Sequence, residues 1–100
     1  MRSIRLRPEA ELDVVEAVIW YETERDGLGL RFEEQLDAVL RFVAEAPAQF
    51  PLFHRRVRRA LVPSFPFGVL FVDQAEEVIV IGVLHLHSDP DAWAQRAGRS

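Results

Sequence analysis

The chain has no cysteine, no lysine and no long apolar run, and each absence removes a class of answer. Without cysteine there is neither a disulfide framework nor a thiolate zinc site, and nothing calls for an oxidising compartment. No stretch approaches the roughly 18 apolar residues of a membrane span, and the opening "MRSIRLRPEAEL" lacks the apolar centre of a secretory leader. A cytoplasmic protein with no membrane partner is therefore expected. A phosphate-binding glycine loop is missing too, because "GLGL" joins two helical patterns rather than a strand and a helix. Ser64 stands between Pro63 and Phe65 with no nucleophile elbow, and Ser3, Ser88 and Ser100 show no triad order. The many carboxylates on the helical segments read as solvated faces rather than as acid/base pairs.

What is present fits a single domain over residues 1–100. At 49% hydrophobic content, a chain of 100 residues is long enough to bury roughly 60 to 70% of the surface its unfolded form exposes. All 12 basic residues are arginine, against 16 acids. The charge is polarised: residues 9–45 hold eleven acids and only Arg25, Arg31 and Arg41, while residues 54–63 hold four arginines and no acid.

Periodicity divides the chain in two. "SIRLR" alternates and stops at Pro8, a short first strand. Pro8 then suits an early helical position, with Glu9, Glu11 and Asp13 favourably near the helix N-terminus. Leu12, Val15 and Ile19 form one apolar row and Val14, Val18 and Tyr21 an adjoining one, a stripe wide enough to pack on two neighbours. Gly27 ends this helix, and a second carries Leu28, Phe32, Leu36, Val39, Leu40 and Val43 up to Pro47. So short a loop makes the two helices an antiparallel hairpin. The second half reads as strands: "RVRRALV" ending at Pro63, then "FGVLFVD" and "EEVIVIGVLHLH" joined by a turn at "DQAE". In the last strand Val78, Val80, Gly82 and Leu84 alternate with Ile79, Ile81 and Val83, so both faces are apolar and the strand should be interior. Asp89 and Pro90 suit the cap and first position of a terminal helix. The resulting order βααβββ(α) predicts an α+β domain, with the helix hairpin on one face of a small antiparallel sheet.

Two clusters stand out as candidate sites. Arg55, Arg56, Arg58 and Arg59 precede an apolar strand; alternation places Arg56, Arg58 and Ala60 on one face and Val57, Arg59 and Leu61 on the other. Two guanidiniums on one rigid face suit a phosphate, a carboxylate or an acidic protein surface. Together with the apolar stripe, they imply a partner segment that is amphipathic, partly helical and acidic. His85 and His87, two apart on an extended strand, would share a face; without a third ligand they predict no metal, and their ring nitrogens are expected to bond backbone or water. Trp20, Tyr21, Phe32, Phe65, Phe67 and Phe71 read as core and helix–sheet packing.

The succession "ELDVVEAVIWYE…GLGLRFEEQLDAVLRFVAEAPAQFP", "RRALVPSFPFGVLFV" and "VIVIGVLHLHSDPDAWAQR" resembles the RelE/ParE superfamily of type II toxin-antitoxin toxins, including ParE-like plasmid stabilisation proteins, over nearly the whole chain. The resemblance implies a βααβββ fold, a cognate antitoxin partner, no cofactor, and one of two activities. These are poisoning of DNA gyrase by binding, or ribosome-dependent cleavage of mRNA; a toxin-like module without toxicity is a third outcome. In the ribonuclease branch, arginines on central strands and a C-terminal tyrosine or histidine do the chemistry. Here Gly68, His87 and Trp93 stand at such places, which favours the non-enzymatic, gyrase-directed reading. Arg58, Arg59, His85 and His87 are the catalytic candidates if the ribonuclease reading holds. Arg55, Arg56, Arg58, Arg59, His87 and Trp93 are the candidates for contact with target or antitoxin.

Overall fold

The computed structural model describes residues 1–98, so Ser100 lies outside the described residues. The alternating start forms β1 (Ser3–Leu6), and Pro8 opens α1 (Pro8–Glu24) at its first position. After the turn comes α2 (Leu28–Glu45), then a 3-10 turn at Pro47–Gln49. Four strands follow, β2 (Leu52–His54), β3 (Val57–Leu61), β4 (Phe67–Gln74) and β5 (Glu77–His85), and the described chain closes with α3 (Pro90–Gly98).

The hairpin turn between the helices is built by one carboxylate. Gly27 takes φ 86°, a left-handed conformation open to glycine at little cost. The Glu22 side chain accepts hydrogen bonds from the backbone N–H of Gly27 (2.9 Å) and of Gly29 (3.0 Å), satisfying donors that the start of α2 leaves without helical partners. At the far end, Asp89 Oδ1 accepts from Asp91 N–H at 2.9 Å, so Asp89 caps α3 and Pro90 takes its first position, as the sequence predicts.

The sheet has five strands in the order β1-β5-β4-β3-β2. It is mixed rather than wholly antiparallel, because β1 runs parallel to β5, with Ile4 opposite Val78 and Leu6 opposite Val80. Tight turns force antiparallel neighbours, but β1 and β5 are joined by the entire intervening chain, which is long enough for a parallel crossover. The extra strand β2 has no buried residue and is only three residues long, so no apolar alternation announced it.

Hydrophobic material covers both faces. The helix hairpin packs on Ala60, Val69, Phe71, Val78, Val80 and Val83; on the other side α3 places Trp93 and Ala97 against Val57, Leu70, Val72, Ile79 and Ile81. β5 is interior, as expected, yet its simple alternation fails at one point. Leu70 pairs with Gly82 and Phe71 with Val80, so Ile81 is an extra residue. This bulge shifts the phase: Val83 joins Val78 and Val80 under the hairpin, and Leu84 packs with Ile79 and Ile81.

α1 departs from expectation more sharply. It meets the core through Ala10 and Ala17, both buried, with Val14, Val18 and Tyr21 alongside. Small residues let the helix lie close to the sheet, and the row Leu12, Val15 and Ile19 is turned away and remains exposed. Trp20 is exposed as well, correcting its assignment to the core, whereas Tyr21, Phe32, Phe65 and Phe67 form a mutually packed ring cluster with Tyr21 and Phe65 centroids 4.9 Å apart.

Candidate functional site

The four clustered arginines do not share one face. β3 begins at Val57, so Arg55 and Arg56 form the exposed β2–β3 turn, where Arg55 takes φ 51°. The expectation that Arg56 and Arg58 share a strand face is thereby corrected: a tight turn intervenes before the alternation starts. Within β3 the alternation holds, with Val57 and Ala60 in opposite cores. Arg58 therefore lies on the helix-hairpin side, where its Nη1 donates to the Phe50 carbonyl at 2.7 Å. That bond anchors the segment after the 3-10 turn, and the Phe50 ring sits edge-on to Phe71 with centroids 5.8 Å apart. The bond gives Arg58 an architectural role.

Arg59 projects from the opposite face, beneath α3. Its guanidinium carbon lies 5.3 Å from the centre of the Phe53 ring and 5.7 Å from that of Trp93, and those two rings are 5.6 Å apart. Both distances fall within cation–π range. Gly68 is the floor of this cluster: a Cβ there would come within 2.9 Å of Trp93 Cη2 and 3.3 Å of Arg59 Cδ. Three residues singled out in the sequence, Arg59, Gly68 and Trp93, thus meet, and Trp93, at 5% exposure, lies over the glycine. A shallow pocket of about 210 Å³ opens beside them, lined by Phe53, Leu86, Ser88 and Pro90 as well as Arg59 and Trp93.

The histidines are close but not on one strand. β5 ends at His85, and His87 lies in the following turn, where its backbone N–H donates to His85 Nδ1 at 3.0 Å. The ring centroids are 5.2 Å apart, and the His85 ring also stands edge-on to Phe67. One ring nitrogen of His85 is thus committed to the backbone. Among the described residues, no group of three or more His, Asp or Glu side chains is placed to hold a metal ion.

The strongest polar feature is one that sequence reading missed. β1 ends opposite Val80, leaving the outer edge of β5 uncovered beyond that point. Asp13 from α1 and Arg96 from α3 close around this edge. Asp13 Oδ2 accepts from Val83 N–H at 2.9 Å, Arg96 Nη1 donates to the Ile81 carbonyl at 3.1 Å, and the two side chains bond each other at 2.6 and 3.2 Å. Two side chains stand in for a missing strand and tie the helices on opposite faces together. The hydrogen bond to Asp13 raises the Arg96 pKa, and partial burial opposes the rise. Gly82 makes room for the crossing, since a Cβ would meet Arg96 Cγ and Nη1 at 3.1 Å. A glycine inside an otherwise β-branched run was the available signal for such an approach.

Among the described residues, no helix is long and apolar enough to cross a membrane. No family model matches the sequence, and no curated protein matches it. Among solved structures, a chain of the chromosomal ParDE TA system from P. aeruginosa matches with a TM-score of 0.75 at 16% sequence identity, over 85% of this chain and 96% of that chain. The helix hairpin laid on a five-stranded mixed sheet is a ParE-like fold.

Proposed function

We propose that this protein is the toxin of a type II toxin-antitoxin module, held in check by a cognate antitoxin, and that it acts in the cytoplasm by binding DNA gyrase rather than by cutting mRNA. One observation carries the choice of target: Trp93 covers Gly68 and lies within cation–π range of Arg59. Cleavage of mRNA by attack of a ribose 2′-hydroxyl needs several donors converging on one developing phosphorane, and a group to move protons. The four candidates for that work divide into two arginines on opposite faces of the sheet and a histidine pair at the end of β5. Arg58 bonds the Phe50 carbonyl on the hairpin face, Arg59 lies against two rings on the α3 face, and His85 Nδ1 is occupied by the His87 backbone. An indole, as at Trp93, donates a hydrogen bond without exchanging a proton as a phenol does.

Arg55 and Arg56 on the exposed turn, with Arg59, His87 and Trp93 nearer α3, are the residues we assign to contact with the target or the antitoxin. The deciding experiment is expression in a bacterial host, with primer extension on ribosome-bound transcripts beside a gyrase supercoiling assay. Filamentation, a DNA-damage response and inhibited supercoiling are expected without codon-phased cuts. Phased cuts lost in His87→Ala or Arg59→Ala would overturn the gyrase assignment, and absence of any growth effect would identify a non-toxic interaction module.

A further inference from the structure

The outer face of α1 is left largely uncovered by the described residues. Leu12, Val15, Ile19 and Trp20 remain 57, 52, 58 and 61% exposed while Ala10 and Ala17 make the core contact on the other side. Leu12, Val15 and Ile19 recur at i, i+3 and i+7, a straight apolar row about two turns long, with Trp20 on its shoulder. Within α1 the charge is of one sign: Pro8–Glu24 contains Glu9, Glu11, Asp13, Glu16, Glu22 and Glu24 and no basic residue, with Arg7 and Arg25 at its two caps. Asp13 and Glu22 are engaged within the fold, which leaves Glu9, Glu11, Glu16 and Glu24, the first three of which flank the row by helical spacing.

We infer that this face docks an amphipathic helix of a partner protein whose apolar stripe is flanked by lysine or arginine. A single straight row on a helix fits another helix laid nearly along it, and α1 offers no free strand edge to an extended segment. A second copy paired through the same face would set acid rim against acid rim, and an anionic lipid surface would meet the same repulsion. The acidic partner expected from the arginine cluster therefore does not belong here; the arginines lie on other surfaces. The inference stands on α1 alone, so it holds or fails independently of the toxin reading.

The test uses the full chain labelled with 15N and a synthetic leucine–lysine helix of about 18 residues, or five turns, with a leucine–glutamate helix as its charge-reversed control. Sedimentation of the protein alone comes first. The lysine peptide should shift the amides of residues 12–20, bind at least about tenfold more weakly to Ile19→Lys, and weaken as salt rises; the glutamate peptide should not bind. Val15→Lys serves as a second variant should Ile19→Lys alter the circular dichroism. Shifts elsewhere on the acidic surface, equal binding of both peptides, or no binding would overturn the inference. So would a wild-type dimer that Ile19→Lys dissociates, which gives the face to a second copy, or α1-dependent binding to neutral lipid vesicles.

Discussion

Breaking the Asp13–Arg96 pair tests how much of the fold hangs on the uncovered edge of β5. Asp13→Ala leaves the Val83 N–H without its acceptor and the Arg96 guanidinium with only the Ile81 carbonyl; Arg96→Met keeps the aliphatic stem over Gly82 and leaves the carboxylate with the Val83 N–H. Removing one partner of a fully buried pair costs about 3–5 kcal/mol. The side chains here keep 19% and 14% exposure, so water screens part of that loss. We expect about 2–3 kcal/mol for Asp13→Ala and somewhat less for Arg96→Met. At about 4–8 °C per kcal/mol for a domain near this size, the aspartate variant should melt about 10–20 °C lower. Urea titrations of wild type, both single variants and the double variant complete a cycle. The double variant should lose less than the two singles added, with a coupling of about 1–2 kcal/mol. Single losses below about 0.5 kcal/mol, or strict additivity, would refute the view that the two side chains work as one cap.

Other measurements reach different parts of the molecule. Gly68→Ala should destabilise by about 1–3 kcal/mol through overpacking against Trp93, and adding Trp93→Leu, which withdraws the ring, should lessen the further loss; full additivity in urea titrations would refute the contact. Arg58→Ala should cost about 1–2 kcal/mol by releasing the Phe50 carbonyl, while Arg56→Ala on the exposed turn should stay within about 0.5 kcal/mol, and equal losses would contradict their separation. Burial raises the Tyr21 pKa above 10.0. The stabilising contribution of the neutral phenol is thus complete below pH 10 and lost as pH rises through the folded value; Tyr21→Phe should flatten the alkaline limb of a stability–pH curve, and an unchanged limb would argue against it.

The elements with strong periodicity were legible in the sequence. α2, β4, β5 and the Asp89–Pro90 start of α3 follow from apolar spacing and cap chemistry, because the helices each present an apolar face to one core and β4 and β5 present one to each. β2 was not legible, since three exposed residues carry no pattern. The outward turn of Leu12, Val15 and Ile19 was hidden because spacing alone does not say which of two adjoining rows meets the sheet; the alanines at 10 and 17 decide it by permitting the closer approach. In the site, Arg59, Gly68 and Trp93 were each noticed, but their meeting needed Phe53, which no periodic pattern marked. Arg96 stayed unnoticed because its partner lies 83 residues away along the chain.

The bulge at Ile81 gives β5 an uncommon tolerance of length. In a regular strand, adding or removing one residue turns every following side chain to the opposite face and exchanges core for solvent. Here the surplus residue is already absorbed by the bulge, so a chain lacking Ile81 would still present Val80 and Val83 to the helix hairpin and Leu84 to the other side. A deletion at that position is therefore nearly silent for side-chain orientation, while the same event at Ile79 or Val83 is not. Relatives that differ by one residue in this strand should align only with their gap placed at Ile81, and a gapless comparison running through it would match core positions to the wrong face.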